Sequence, residues 1–323
     1  MNFFYRLVIF LFTTLLIYSC AGLAASADEY YSIGMAYFDL GRYEEAERWL
    51  NRARQADRTM TASTYNLGRL AFERQRYEEA AEYFEEILQR DSDNVIALRA
   101  AAYTRIRMGD FETADIHYSR LLALVPESAD DGYNHALVLY AMERFEQAEQ
   151  VLAGYPTAVQ ENKDVMLLYA RSQSAQNKIE AIDSYAAYLN VNSDVRARYE
   201  YALVLEQHEL YARSLEELRS AISEISSSAV NPARYDIRFA IARVLLIADS
   251  ESGEGITELE TAISEGFSDY EAVEELINSG RLSSSHQSSL TRIAHNMRYS
   301  EEEESSDSES SDSDSLDSDP EDL

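Results

Sequence analysis

Cysteine is almost missing from this chain. Cys20 is the only one among 323 residues, so no intramolecular disulfide can form and a disulfide-stapled architecture is excluded. Lysine is nearly as scarce: Lys163 and Lys178 stand alone among 28 basic residues, and the other cations are all arginine. Fifty-eight acidic residues oppose them, which leaves a formal charge of −30 and a pI near 4.4. A surface this acidic repels phosphate backbones and anionic lipid headgroups, so a nucleic-acid partner is not expected.

The signatures of catalysis are missing as well. There is no G-x-x-x-x-G-K-[ST], no H-E-x-x-H, no G-x-S-x-G and no paired C-x-x-C, which leaves phosphate cradles, zinc sites and nucleophile elbows without support. The five histidines, His117, His135, His208, His286 and His295, are too dispersed to form a ligand set. His135 falls where two helices are expected to cross and reads as a packed, hydrogen-bonded core residue. The pairs Glu44-Glu45 and Glu78-Glu79 sit where a second helix of a pair should begin, and the helix macrodipole favours acidic residues there. The expectation is a non-enzyme with no catalytic residue, no metal and no cofactor.

What the chain does contain is one pattern written repeatedly at a spacing of 34 residues. Superposing Ala27–Met60 on Thr61–Asn94 aligns Gly34 with Gly68, Tyr43-Glu44-Glu45-Ala46 with Tyr77-Glu78-Glu79-Ala80, and Leu50 with Phe84. Within each copy an aromatic-rich segment at helical spacing is followed by a break at Gly41 or its equivalent. A second apolar set, Ala46, Leu50 and Ala53, then recurs at i, i+4, i+7. This predicts two amphipathic helices and a turn, with Gly34 and Ala46 small where the helices cross. The step continues through Val95–Ser128, with Gly109, Ala114 and Pro126, and Ala129–Asn162, with Ala136, Phe145 and Ala148. It then weakens through about Lys163–Asp194 and Val195–Ser228. Ser226–Ser228 and Asn231-Pro232 predict a loop, beyond which two more helices keep the phase, and Gly266-Phe267 predicts a helix stop with a hydrophobic contact. Two shorter helices, about Asp269–Asn278 and His286–Met297, are expected to cap the open end.

The pattern resembles the tetratricopeptide repeat: Leu67-Gly68, Ala80, Phe84 and Pro126 stand where that family has Leu-Gly, Ala, an aromatic or Leu, and Pro. The resemblance implies an all-α fold, a right-handed α-solenoid of about seven tetratricopeptide helix-turn-helix repeats with a C-terminal helical cap and a disordered acidic tail. The expected organisation is a signal peptide of lipoprotein type over 1–19, a tether over 20–26 and six repeats over 27–228. A degenerate seventh repeat and capping helices follow over 229–298, and the tail occupies 299–323.

The two ends are of different material. Arg6 and the mostly apolar run Leu7–Tyr18 form an export signal, and Ile17-Tyr18-Ser19-Cys20 resembles a bacterial lipobox whose cysteine is lipidated, although Tyr18 departs from the family form. Two alternatives stay open. Ala25-Ser26-Ala27 is an A-x-A site that would release a secreted protein after Ala27, and Leu7–Ala27 is an uncharged stretch of 21 residues, long enough to span a bilayer uncut. At the other end, Glu301–Leu323 holds twelve Asp or Glu, no Lys or Arg, and Leu316 as its single aliphatic residue before the last, too little apolar surface to fold by itself.

Function is expected on the groove. Tetratricopeptide proteins line a concave surface with particular first-helix positions, and carried residue by residue onto this chain these include Tyr31, Met35, Phe38, Tyr65, Arg69, Phe72, Arg99, Tyr103, Arg107, Tyr133 and Tyr140. Tyr and Arg are favoured interface anchors because they combine contact area with directional bonds. The lysine-based clamp by which chaperone-binding members hold a terminal carboxylate is absent: Asn66 matches one of its places, while Tyr31, Met35, Ile96 and Ala100 occupy others. The expected protein is therefore a non-enzymatic scaffold of the bacterial cell envelope, binding a protein or peptide. It would be membrane-anchored through a lipid on Cys20 or an uncleaved segment, and would face the periplasm or the exterior. A part in outer-membrane protein assembly, or as accessory subunit of a cell-wall enzyme or transporter, is the alternative.

Overall fold

The computed structural model describes residues 26–225, 231–249 and 252–313, and they are all-helical, with seventeen helices and no strand among them. The expected export signal and Cys20, residues 226–230 of the expected loop, residues 250–251 and the residues from 314 onward lie outside the described residues. The chain divides into two compact units, residues 1–156 and 157–323.

The first unit is four helix pairs in sequence: α1 (Ala27–Asp39) with α2 (Tyr43–Ala56), α3 (Thr61–Glu73) with α4 (Tyr77–Arg90), α5 (Val95–Met108) with α6 (Phe111–Leu124), and α7 (Ala129–Ala141) with α8 (Phe145–Ala153). Each pair closes on a small residue. Ala46, Ala80, Ala114 and Ala148, at successive steps of 34, are fully buried, and a side chain added at Gly34 would come within 2.9 Å of Leu50. Their partners in the second helices, Leu50, Phe84, Tyr118 and Leu152, are buried just as completely, so every repeat contributes one plug to a core shared with its neighbour.

The turn inside each pair repeats with the same fidelity. Gly41, Gln75, Gly109, Glu143 and Asn177 all have a left-handed backbone, with φ between 57° and 75°. Around each, two amides fold back onto the end of the first helix, as in Gly41 N to Phe38 O and Arg42 N to Tyr37 O, both 2.9 Å. These are the bonds of a Schellman motif, which satisfies carbonyls that a helix end leaves open. Glycine adopts this conformation freely, whereas an L side chain costs about 1–2 kcal/mol there. Glu143→Gly should therefore raise stability by up to about 1 kcal/mol in urea unfolding, with Gly109→Ala losing a similar amount as the reciprocal control.

The 34-residue step read across Ala129–Asn162 does not survive in one respect. Helix α8 stops at Ala153, and a separate short helix α9 (Pro156–Glu161) follows. Pro156 has no amide to donate and its ring clashes with the preceding turn, so the second helix of this pair cannot run its full length. The boundary between the two units falls at this proline.

The second unit pairs α10 (Lys163–Ala175) with α11 (Ala181–Val191), α12 (Val195–Gln207) with α13 (Tyr211–Glu224), and α14 (Arg234–Ala248) with α15 (Glu254–Ser264). Two further helices, α16 (Tyr270–Asn278) and α17 (Ser284–Ser313), complete it. Gly266, at φ 115°, ends α15, and Phe267 turns inward to stack on Phe239 at 4.4 Å between centroids. Val273, Leu276, Leu290, Ile293 and Met297 cover the same cluster, the apolar seal that an end of a repeat array needs. The backbone of α17 differs from the expected unstructured tail: it stays helical from Ser284 through the acidic segment to Ser313. A helix already nucleated by the packed turns around Leu290 and Ile293 propagates into polar sequence without a second nucleation cost.

Candidate functional site

Helices α3 and α5, the first helices of the second and third pairs, border a cavity of about 340 Å³. Tyr65, Arg69, Phe72 and Glu73 line it from α3; Ile96, Arg99, Ala100, Tyr103 and Thr104 line it from α5. Phe84 of α4 and Tyr118 of α6, each from the second helix of its pair, close it from below, and Asn134 of α7 completes one wall. Phe84 and Tyr118 are buried core residues, while Ile96 is 57% and Tyr103 45% exposed. A firm floor and an open apolar lip are what a side-chain pocket requires, and the volume lies at the low end of ligand-binding cavities.

Five of the eleven groove residues expected from sequence, Tyr65, Arg69, Phe72, Arg99 and Tyr103, meet at this one cavity. Arg107 stands beside it, its guanidinium 5.0 Å from the Tyr77 centroid and 6.0 Å from that of Phe72. Tyr31, Met35 and Phe38 instead pack against the first core cluster around Ala46, Leu50, Leu67 and Leu70. Tyr133 is half-buried, and Tyr140 meets Phe145 edge-on at 5.0 Å; neither lines the cavity. Phe84 and Tyr118, with Ile96, Ala100, Thr104 and Asn134, line the cavity from outside the groove positions expected from sequence. The first two are ordinary plugs of the repeat by sequence, and only the way consecutive pairs stack brings them under the cavity.

The arginines of this face are not equivalent. Arg99 donates from Nε to Asp131 Oδ1 at 2.7 Å and from Nη2 to Asp131 Oδ2 at 2.6 Å, a bidentate pair across 32 residues of sequence whose carboxylate is buried. Arg69 donates to Asn66 Oδ1 at 3.0 Å and lies over Phe38 at 4.9 Å; Asn66 in turn donates to the Tyr31 hydroxyl at 3.1 Å. The one residue that matches the carboxylate clamp is thus consumed in orienting an arginine. Burial, together with the charge of Asp131, pushes the Tyr118 phenol above its usual range, so it stays neutral. The histidine at the crossing is packed as expected: His135 is buried, its Nε2 2.7 Å from Asp115 Oδ1, and it stacks on Tyr118. The acidic pairs at the second-helix starts also have cation partners, Arg42 for Glu45, Arg74 for Glu44 and Arg76 for Glu79.

Asp131 supplies a pH test. Burial pushes its carboxyl up, but hydrogen bonds from Arg99 and Ser128 outweigh this and hold it below the ordinary Asp value. A depressed folded-state pKa contributes stability that is complete above about pH 4 and is lost as pH falls through the lower folded value. In Asp131→Asn, acid unfolding monitored by circular dichroism should show a shallower loss of stability below about pH 4; an unchanged slope would mean that Asp131 does not titrate differently on folding.

Family models described as tetratricopeptide repeat match residues 21–61, 31–95 and 71–131. A tetratricopeptide repeat protein from Parabacteroides merdae ATCC 43184 superposes with a TM-score of 0.52 at 19% identity, covering 77% of this chain and 96% of that one. MamA from Desulfovibrio magneticus RS-1 gives 0.47 at 15% identity, over 50% of this chain and 93% of that one. YrrB, described as a tetratricopeptide protein with an unusual peptide-binding site, gives 0.48 at 19% identity, over 54% and 91%. No curated protein sequence matches. The fold and repeat define an α-solenoid of the class that serves as protein-interaction scaffolds and is in general non-enzymatic. The repeat matches over residues 21–131, together with the all-helical pairs, support a tetratricopeptide-repeat protein.

Proposed function

We propose that this protein is a non-enzymatic scaffold tethered to the bacterial cell envelope, which holds a segment of a partner protein on the first-helix face of its N-terminal unit. The observation that carries the reading is the cavity between α3 and α5, where exposed Ile96 and Tyr103 surround a rigid aromatic floor. Exposed apolar residues grouped around a concavity mark interaction surfaces.

The tether reading draws support from the start of α1. The Ser26 hydroxyl accepts from Glu29 N at 3.2 Å and Glu29 Oε2 accepts from Ser26 N at 2.8 Å, a complete capping box. Cleavage after Ala27 would remove it, at a cost of about 1 kcal/mol, whereas processing ahead of Cys20 keeps it. Among the described residues no helix is long and apolar enough to cross a membrane.

The groove is tested by Tyr65→Ala combined with Arg69→Ala. Partner capture from envelope extracts should fall by about tenfold or more while the thermal midpoint shifts by only a few degrees. Collapse of folding would reassign both residues to structure. For the tether, Cys20→Ala should abolish radiolabelled-lipid incorporation and move the protein out of the detergent phase; equal behaviour of the two forms would end the lipoprotein reading.

A further inference from the structure

The cavity also carries information about what enters it, and this step rests on the peptide-binding reading above. In a chain with 58 acidic and 28 basic residues, most arginines of the first unit already grip carboxylates: Arg54 holds Glu86, Arg74 and Arg76 hold Glu47, and Arg99 holds Asp131. Arg48, Arg52, Arg58, Arg69 and Arg107 have no such partner among the described residues, and of these Arg69 and Arg107 are the two that stand at the cavity. Among the described residues neither has a carboxylate within ion-pair distance, and each lies against aromatic rings, Arg69 over Phe38 and Arg107 over Phe72 and Tyr77. Stacking fixes the plane of a guanidinium while leaving its edge donors available, which pre-organises it for a carboxylate. With carboxylates this abundant, a cation left unpaired at a pocket marks a place where the anion comes from elsewhere.

We propose that the occupant is an acidic segment within a partner protein, with one aromatic side chain seated in the cavity and Asp or Glu side chains paired with Arg69 and Arg107. The aromatic ring meets Tyr65, Phe72 and Tyr103 in the cavity, where offset and edge contacts add to burial. Arg69 is stacked on Phe38 of the first helix pair and Arg107 on Tyr77 of the second, so each guanidinium is held on its own repeat and is assigned its own carboxylate; a chain terminus would need both donors converged on one point. The net negative charge of the scaffold opposes this only weakly from a distance, because repulsion beyond about 8 Å is screened at physiological salt, and at the cavity Glu73 is the one lining carboxylate against Arg69 and Arg99.

The test is fluorescence anisotropy of the full chain with labelled twelve-residue probes: one carrying Trp flanked by two Asp and two Glu, one with those acids replaced by Asn and Gln, one with Trp replaced by Ala, and one with Lys in place of the acids. The acidic Trp probe should bind about tenfold or more tighter than each of the others, since every such contact is a charge-assisted bond or a buried ring. Arg69→Gln and Arg107→Gln should each weaken the acidic probe about fivefold or more while leaving the Asn/Gln probe unchanged, a split that a merely structural role would not produce. Equal binding of the acidic and neutral Trp probes overturns this inference and leaves the groove reading intact; failure of every probe to bind overturns both. Two more arms decide the source. A neutral probe bearing only a free terminal carboxylate that binds as tightly as the acidic one would replace internal acids by a chain end. A peptide of residues 301–323 that does so would replace the partner by this chain's own acidic segment.

Discussion

Glu206→Ala is expected to lower the stability of the chain by about 3 kcal/mol, the lower part of the range for breaking a buried ion pair. Arg243 donates to Glu206 through Nε at 2.8 Å and Nη2 at 2.7 Å, closing a fork across 37 residues that joins α12 to α14. The Glu206 side chain is 8% exposed and that of Arg243 28%, so the arginine keeps some solvent and the full penalty is not reached. Burial draws the guanidinium pKa down, but the hydrogen bonds and charge of Glu206 more than offset it, and the group is held above its ordinary value. Arginine does not release its proton to escape an apolar site, so removing the carboxylate leaves an uncompensated cation beside Phe239. Urea unfolding of Glu206→Ala, with the double variant Glu206→Leu/Arg243→Met beside it, decides the matter. The double variant should regain most of the loss, because a well-packed apolar pair avoids the desolvation that the ion pair must overcome. A single-variant loss below about 1 kcal/mol would show that the pair is effectively solvated.

The second large effect lies in the first unit. Gly68→Ala should destabilise by about 1–3 kcal/mol even though alanine is the better helix former by nearly 1 kcal/mol. A Cβ at Gly68 would fall 2.6 Å from Phe84 Cε1 and 2.9 Å from Cζ, and the Phe84 ring has nowhere to go because it is 1% exposed. This is a demand for space, unlike that at Gly41 and Gly109, where nothing lies within 4 Å of an added Cβ and the backbone alone requires glycine. Phe84→Leu in the Gly68→Ala background should recover part of the loss, and the non-additivity of that cycle measures the contact. Phe84 also forms part of the cavity floor, so Gly68→Ala should weaken peptide binding; intact binding with reduced stability would separate the floor from the pocket.

Each helix pair was legible because one physical problem is solved again every 34 residues. Two helices that cross at a small residue must show Gly or Ala at that point in every copy, and Gly34, Gly68, Ala46, Ala80, Ala114 and Ala148 do so. The turn was legible only in part. Gly41 and Gly109 announce a left-handed residue, but Gln75, Glu143 and Asn177 adopt the same conformation under the constraint of the flanking helices, and side-chain type does not reveal it. The interruption at Pro156 was hidden for a related reason, since the helix-crossing residues on both sides keep their phase while the helix between them stops short.

By itself the sequence determined the fold, the acidic character and the face on which aromatic and arginine residues gather, because periodicity assigns each side chain to a side of its helix. Only the tertiary structure decided which of those residues line one cavity. Stacking consecutive pairs sets Asp131 against Arg99, leaves Arg69 and Arg107 facing rings in place of acids, and brings Phe84 and Tyr118 beneath a cavity whose walls come from two other helices. Those contacts join residues about one repeat apart or more in the chain, and their register is set by how core plugs interlock, which no single helix encodes.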